Sequence, residues 1–183
     1  MTNQLEIKLL SENATMPKRD RLDAGYDIYS AETLILEPQE KAVIKTDVAV
    51  NIPEGYVGLL TSRSGVSSKT HLVIETGKID AGFQGNMKIN IKNDIELTTS
   101  DEYVYEDIKG KIIDDEEFNK PLDKQNLSPL EKFELRNTSY VIKKGDKLAQ
   151  LVIVPIFTPK LTEVDEFNTE SERGTDGFGS TGY

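Results

Sequence analysis

The stretch GKIDAGFQG, residues 77–85, places one acid, Asp80, and one aromatic residue, Phe83, among three glycines. Glycine adopts backbone angles that other residues avoid, and it lets a ligand approach the main chain closely. The alternating run MKINI at residues 87–91 follows and predicts a strand. We therefore expect Asp80 and Phe83 on a β-hairpin arm. The arm is either a ligand site or an ordinary turn with a solvated carboxylate.

Short apolar runs on both sides of this stretch predict an all-β fold. Residues 34–36, 42–50 and 56–60 are rich in β-branched and apolar side chains, and Pro- and Gly-containing turns separate them. This spacing is typical of a barrel or a sandwich. Further strands are predicted at residues 4–10, 140–142 and 145–154, and one helical turn at residues 64–68. The run at 145–154 is nearly continuous, which predicts burial on both faces.

The composition excludes several classes of protein. The 183 residues suit one domain, the formal net charge is -10, and the chain has no Cys and one His. We interpret His71 as structural, and a zinc site is not expected. The acidic balance argues against direct nucleic-acid binding. No signal peptide or membrane span is expected, so the cytoplasm is the expected location. An anionic substrate would need a metal ion or local cations.

Three polar positions outside the central stretch are candidate ligands. Asp27, in AGYDIYS at residues 24–30, either faces a metal or caps its own turn, and the sequence alone favours the turn. In TSRSGVSSK, residues 61–69, Arg63 with Ser64 and Gly65 either binds phosphate or forms an ordinary polar loop. Gln150 is polar within an apolar run, so it is either a satisfied core amide or a ligand contact.

The composition changes over residues 94–136. This segment has 13 Asp or Glu and 6 Lys or Arg, and we interpret it as a mostly polar insertion in a β scaffold. It is either a solvated acidic loop or a surface for a protein partner, because long inserted loops are often functional or disordered.

The C-terminal residues form a separate glycine-rich segment. We expect a β domain over residues 1–157 and an extended arm over residues 158–183. The sequence RGTDGFGSTGY, residues 173–183, is either a disordered terminus or a flap that closes over phosphates and a base. One aromatic residue in a glycine-rich anion loop favours the flap. Its candidate contacts are Arg173, Phe178, Gly179, Ser180 and Thr181.

Taken together, residues 24–30, 62–67, 77–85, 145–151 and 173–182 resemble the five ordered motifs of the trimeric all-β dUTP diphosphatases, or dUTPases. The match covers about 140 residues, and the tail agrees almost letter for letter. Residues 94–136 depart from the common pattern. They resemble the inserts of dUTPases from phages of Gram-positive bacteria, some of which also bind a repressor.

The resemblance implies a jelly-roll-like β-barrel subunit, a homotrimer with shared active sites, and hydrolysis of dUTP to dUMP and pyrophosphate. Asp80 would deprotonate the attacking water, and Asp27 would hold Mg²⁺ through water. The phosphates would contact Arg63, Ser64, Gly65, Gln150, Arg173, Ser180, Thr181 and Gly179. The nucleoside would lie on Gly77, Ile79 and Phe83, and under Phe178.

The chain differs from the family pattern at two positions, and we also consider two alternative functions. The family usually has Tyr at position 83 and often Arg at 84, where this chain has Phe83 and Gln84. We expect Phe83→Tyr to raise turnover or leave it unchanged. One alternative is a dCTP deaminase-like enzyme, although no motif for its acid/base group is found. The other is a catalytically weak regulatory protein that binds a partner through residues 94–136.

Overall fold

The computed structural model describes residues 4–99, 103–113, 137–171 and 174. Within those ranges the chain has twelve strands and one short helix. The elements are β1 Glu6–Leu9, β2 Tyr26–Tyr29, β3 Leu34–Leu36, β4 Lys41–Lys45, β5 Val48–Asn51, β6 Tyr56–Ser62, α1 Ser64–Ser67, β7 Leu72–Ile74, β8 Gly77–Ile79, β9 Lys88–Asn93, β10 Tyr103–Asp107, β11 Asn137–Ile142 and β12 Lys147–Pro155. The predicted all-β fold is confirmed, as is the helical turn after Arg63.

The strands form four small sheets that enclose one apolar core. The sheet orders are β2-β12-β6-β8, β10-β11-β3, β4-β9-β7 and β1-β5. β9 shows why these residues form strands, because Ile89 and Ile91 are buried while Lys88 is exposed. The buried side chain of Asn93 donates to the carbonyls of Leu36 at 3.1 Å and Thr138 at 2.9 Å. This amide joins β9 to the neighbouring sheet.

The predicted hairpin around Asp80 is wrong, because the strands before and after this residue do not pair with each other. β8 pairs with β6, whereas β9 pairs with β4 and β7. The residues between β8 and β9 therefore cross from one sheet to another. Glycines permit a crossing between sheets as readily as a hairpin turn, so the glycines in this stretch did not distinguish the two structures.

The expectation that β12 is buried on both faces holds only for its first half. Leu148, Ala149 and Leu151 are buried, while residues 152–154 are half-buried and Pro155 is exposed. β12 lies between β2 and β6, but β2 pairs only with residues 147–151, so the second half of β12 is paired with β6 alone.

The first part of the predicted insert contributes to the core. β10 runs parallel to β11 with Tyr103 opposite Asn137, and Val104, Tyr105 and Ile108 are buried. Residues 103–113 are therefore not simply a solvated loop. Residues 114–136 lie outside the described residues.

The residues after β12, 156–171, are all exposed. No helix or strand is described in residues 156–171, and Phe157, Leu161 and Phe167 are 88–98% exposed there. In the described part of the chain, no helix has the length and apolar character needed to span a membrane.

Candidate active site

Three neighbouring strands bring Asp27, Arg63, Ser64, Gly65 and Gln150 together, and we call this set the phosphate half. In β12, Gln150 lies opposite Asp27 of β2 on one side and opposite Thr61 of β6 on the other. Arg63 follows β6 directly, and Ser64 begins α1. The sheet thus gathers positions that are more than 120 residues apart in the sequence.

Asp27 is bound by two cations. Its Oδ1 lies 2.8 Å from Arg63 Nε, and its Oδ2 lies 2.8 Å from Lys147 Nζ. The hydrogen bond to Asp27 is the largest cause of a raised pKa at Lys147, so this lysine remains protonated. Asp27 is therefore more than the self-capping turn residue that the sequence alone favoured.

Lys147 was missed by sequence reasoning. It begins β12, three residues before Gln150, and the sequence placed it in the predicted strand of residues 145–154 without a role of its own. The sequence feature that could have identified Lys147 was its position in the same strand as Gln150. It lies at the end of β12 that pairs with Tyr29 of β2. With Arg63 it supplies local positive charge in a chain whose net charge is -10. The phosphate half can therefore attract an anion despite the overall charge.

The short helix α1 fixes the loop that contains Arg63. The carbonyl of Arg63 accepts the N–H groups of Val66 at 3.0 Å and Ser67 at 3.1 Å. Val66 is buried and anchors the turn. Ser64 and Gly65 are exposed, so the Ser64 hydroxyl and both main chains are accessible to a ligand.

The second group comprises Gly77, Ile79, Asp80 and Phe83, and we call it the base half. Ile79 is buried, while Asp80 and Phe83 are exposed beside an open groove of about 540 Å³. The Phe83 N–H donates to the Asp80 carbonyl at 3.1 Å, which closes a turn. A Cβ atom added to Gly85 would lie 2.8 Å from Phe83 Cζ. The ring therefore packs directly on the Gly85 main chain.

Polar side chains hold the residues that follow the base half, and the sequence did not reveal these contacts. Asn86 Nδ2 donates to Asp47 Oδ1 at 2.7 Å, and the Asp47 N–H donates back to Asn86 Oδ1 at 3.0 Å. Gln84 Nε2 donates to Asn51 Oδ1 at 3.0 Å. Asp47 and Asn51 lie near the two ends of β5, far from residues 84–86 in sequence, so no local pattern predicts these contacts.

The two halves lie at opposite ends of β6 within one chain. Ile79 pairs with Gly58, which places Asp80 near Val57, whereas Arg63 follows the other end of the same strand. Six residues of strand separate positions 57 and 63, or about 20 Å at ~3.3 Å per residue. One subunit therefore does not bring Asp80 to the phosphate half.

The described residues fit a magnesium ion only if most of its ligands come from elsewhere. Among them, no group of three or more His, Cys, Asp or Glu side chains could hold a metal. Asp27 offers one carboxylate, 21% exposed. Mg²⁺ keeps several waters and often takes one or two carboxylates plus substrate phosphates. Asp27 fits such an outer contact.

Five predicted contacts cannot be placed. They belong to the C-terminal flap and lie outside the described residues: Arg173, Phe178, Gly179, Ser180 and Thr181. Their roles remain predictions.

Known proteins have sequences and folds similar to those of this chain. The human mitochondrial deoxyuridine 5'-triphosphate nucleotidohydrolase is 36% identical over 180 residues, which cover 98% of this chain and 55% of the human protein. The chain therefore spans about half of that relative's length. A Staphylococcus phage 80alpha dUTPase, solved with dUpNHpp, is 60% identical with a TM-score of 0.82 and full coverage of both chains. Its description states that phage dUTPases control transfer of virulence genes.

A second phage structure and a family model complete the comparison. A mutant dUTPase of the S. aureus phage phi11, described with a structural Mg(II) ion, is 60% identical with a TM-score of 0.76 over 91% of this chain and 100% of its own. The dUTPase family model matches residues 12–101 and 132–182. Residues 102–131 stay unmatched, inside the predicted insert. The chain therefore belongs to the dUTPase family of deoxyuridine triphosphate nucleotidohydrolases.

Proposed function

We propose that this chain hydrolyses dUTP to dUMP and pyrophosphate through water attack on the α-phosphorus. The observation that carries the proposal is the sheet order β2-β12-β6-β8, which contains four of the five dUTPase motifs in adjacent strands. Family membership adds the substrate. We expect the reaction to take place in the cytoplasm.

The phosphate half binds the triphosphate. The ion pair with Asp27 uses Arg63 Nε, so the terminal guanidinium nitrogens face phosphate oxygens. Ser64, Gly65 and Gln150 supply neutral donors beside them. Such fixed donors stabilise charge that develops in phosphoryl transfer.

Asp80 is the general base. Its carboxylate takes a proton from water as the water oxygen bonds to the α-phosphorus. The bond from that phosphorus to the bridging oxygen then breaks, and pyrophosphate leaves with the electron pair. A carboxylate acts in this way when it lies within hydrogen-bond reach of the water.

Asp27 would hold the expected cofactor, Mg²⁺, through water. When bound beside the substrate, the ion would neutralise phosphate charge. The base half reads uracil through the main chain of Gly77 and Ile79. The Phe83 ring packs against the deoxyribose and obstructs a 2′-hydroxyl. The flap residues Arg173, Gly179, Ser180 and Thr181 close over the γ-phosphate, and Phe178 covers the base.

The active enzyme is a homotrimer whose sites are shared between subunits. The separation of about 20 Å between Asp80 and Arg63, from six residues of strand, supports this proposal because both must reach one phosphate chain. The exposed apolar side chains of residues 157–167 support it as well. An extended arm with such side chains gains stability by packing on another subunit.

The test is pyrophosphate release from dUTP with Mg²⁺, beside dTTP, dCTP and UTP, for wild type and Asp80→Asn. We expect rapid turnover of dUTP alone, reduced by about 10²–10⁴-fold in Asp80→Asn. The absence of dUTP turnover in wild type would contradict the proposal. Formation of uracil products from dCTP would instead favour the deaminase alternative.

A second function, binding of a regulatory protein such as a repressor, is supported by the insert. The segment of residues 94–136 carries a net charge of -7, from 13 acidic and 6 basic residues. A relative of 60% identity is described as controlling gene transfer. Because β10 belongs to the fold, the deletion should remove residues 114–136 only. We expect this variant to lose the partner and keep dUTP hydrolysis, and loss of hydrolysis as well would contradict separate roles.

A further inference from the structure

Residues 107–111 form a tight turn in the segment that the dUTPase family model does not match. Asp107 Oδ1 accepts the N–H groups of Lys109 at 2.8 Å and Lys111 at 3.0 Å. The Gly110 N–H donates to the Asp107 carbonyl at 3.0 Å. Gly110 has a φ of +70°, which glycine adopts without steric cost. The turn is therefore closed at both ends.

The turn lies directly against the loop that follows α1. A Cβ atom added to Gly110 would lie 2.3 Å from the carbonyl oxygen of Lys69. Real Cβ atoms do not come so close to a backbone oxygen, so only glycine permits this contact. Tyr105, which precedes the turn, and Ile108, within it, are both buried, so the turn is anchored on the core.

The loop at Lys69 is joined to the phosphate half by a short run of hydrogen bonds. The Lys69 N–H donates to the Val66 carbonyl at 3.2 Å, and the Ser68 N–H donates to the Ser64 carbonyl at 3.0 Å. On the other side, the His71 N–H donates to the Tyr140 hydroxyl at 3.0 Å. Gly110 and Tyr140 therefore both support the loop from outside it, and neither is a predicted substrate contact.

We propose that Gly110 is a positioning residue for the phosphate half: the turn of residues 107–111 sets the position of Lys69, and through α1 that of Arg63 and Ser64. This inference rests on the proposed function. It assigns the beginning of the insert a role in substrate binding, separate from any partner that residues 114–136 bind.

The test compares Gly110→Ala with Gly55→Ala in the full-length protein. Gly55 also has a positive φ, +83°, but a Cβ there meets nothing within 4 Å. Both variants carry backbone strain, and only the first moves Lys69. We expect Gly110→Ala to raise KM for dUTP about tenfold, because the phosphate contacts of the bound substrate are weakened. kcat should fall as well, since the same donors stabilise charge in the transition state. Gly55→Ala should match wild type.

Two further measurements separate positioning from general damage. The inhibition constant of deoxyuridine, which has no phosphates, should stay unchanged in Gly110→Ala. The Kd of the imido analogue dUpNHpp, measured by calorimetry without turnover, should rise about tenfold, as KM does. An equal rise for deoxyuridine, or a KM within about twofold of the Gly55→Ala value, would overturn the proposal.

Tyr140→Phe tests the second support and does not depend on backbone strain. It removes the hydroxyl that accepts the His71 N–H, and we expect a KM about threefold higher. If Gly110→Ala does not fold, this variant decides, and an unchanged KM rejects the inference. A wild type that binds dUpNHpp without hydrolysing dUTP would contradict the proposed function alone, because the Kd comparison remains measurable.

Discussion

Arg63 Nε lies 2.8 Å from Asp27 Oδ1, and this pair joins the first dUTPase motif to the second. Asp27 lies in β2 and Arg63 at the end of β6, with β12 between them. Lys147 in β12 binds the other oxygen of the same carboxylate at 2.8 Å. One carboxylate thus orients Arg63 and Lys147 while it stays partly open to solvent.

Asp27→Asn should weaken the use of magnesium. The amide keeps the size of the side chain but loses the charge that orients Arg63 and Lys147 and that holds a hydrated cation. We expect the Mg²⁺ concentration for half-maximal rate to rise about tenfold or more, as for the loss of outer-shell partners in metal sites. A magnesium titration of pyrophosphate release measures this change.

Asp23→Asn is the matched control for that variant. Asp23 is exposed in the loop that precedes β2. Its substitution by Asn removes the same charge from the same part of the chain. Its magnesium dependence should equal that of wild type. If both variants shifted equally, the effect would come from net charge and the role of Asp27 would be rejected.

Gly85→Ala should reduce selectivity for deoxyribose. The new Cβ would lie 2.8 Å from Phe83 Cζ and 3.0 Å from Cε2, so the ring must move from its place. We expect the ratio of kcat/KM for dUTP over UTP to fall about tenfold. This fall corresponds to a loss of roughly 1.4 kcal/mol of discrimination between the two sugars. Steady-state kinetics with both nucleotides measure the ratio.

Phe83→Ala provides the comparison, because it removes the ring altogether. Its selectivity should fall at least as far, and the double variant should be no worse than Phe83→Ala alone. Selectivity that remains high in Gly85→Ala would show that the ring does not read the sugar.

Glu106→Gln should change how stability depends on pH. Burial raises the pKa of Glu106, and Asp107 adds to the increase while His71 opposes it. The folded state thus keeps a proton that the unfolded state has already lost, so this group costs stability as pH rises from the unfolded pKa toward the folded one. Thermal melts between about pH 4 and pH 7 should show the variant gaining Tm relative to wild type as pH rises.

Glu54→Gln is the control for this series because Glu54 is exposed in a turn. Its Tm difference from wild type should not vary with pH in the same way. A parallel pH profile for wild type and Glu106→Gln would mean that Glu106 ionises alike in the folded and unfolded states.

The strand class followed from local patterns, whereas pairing depended on distant partners. The alternation of Ile89 and Ile91 with polar residues was enough to predict β9. Nothing near Ile79 in the sequence indicates that β8 pairs with Gly58 of β6 and not with β9. Turn glycines permit several paths, and tertiary packing chooses among them.

The candidate site shows the same division. Asp80, Arg63 and Gln150 were predicted because their types and order resemble a family. Lys147 and the Asp47–Asn86 pair were not, because their roles arise from contacts with residues far away in sequence. The separation of Asp80 from Arg63 also needed the register of β6 and β8.

The central claim is that one active site takes Asp80 and Arg63 from different subunits, and subunit mixing tests it most directly. Asp80→Asn and Arg63→Ala trimers, each inactive, are unfolded and refolded together in equal amounts, with two tags to confirm mixed trimers. Random assembly predicts recovery of about one quarter of wild-type activity, since each site draws its two groups from different chains. A mixture of Asp80→Asn with the double variant should stay inactive. No recovery in confirmed mixed trimers would contradict the account.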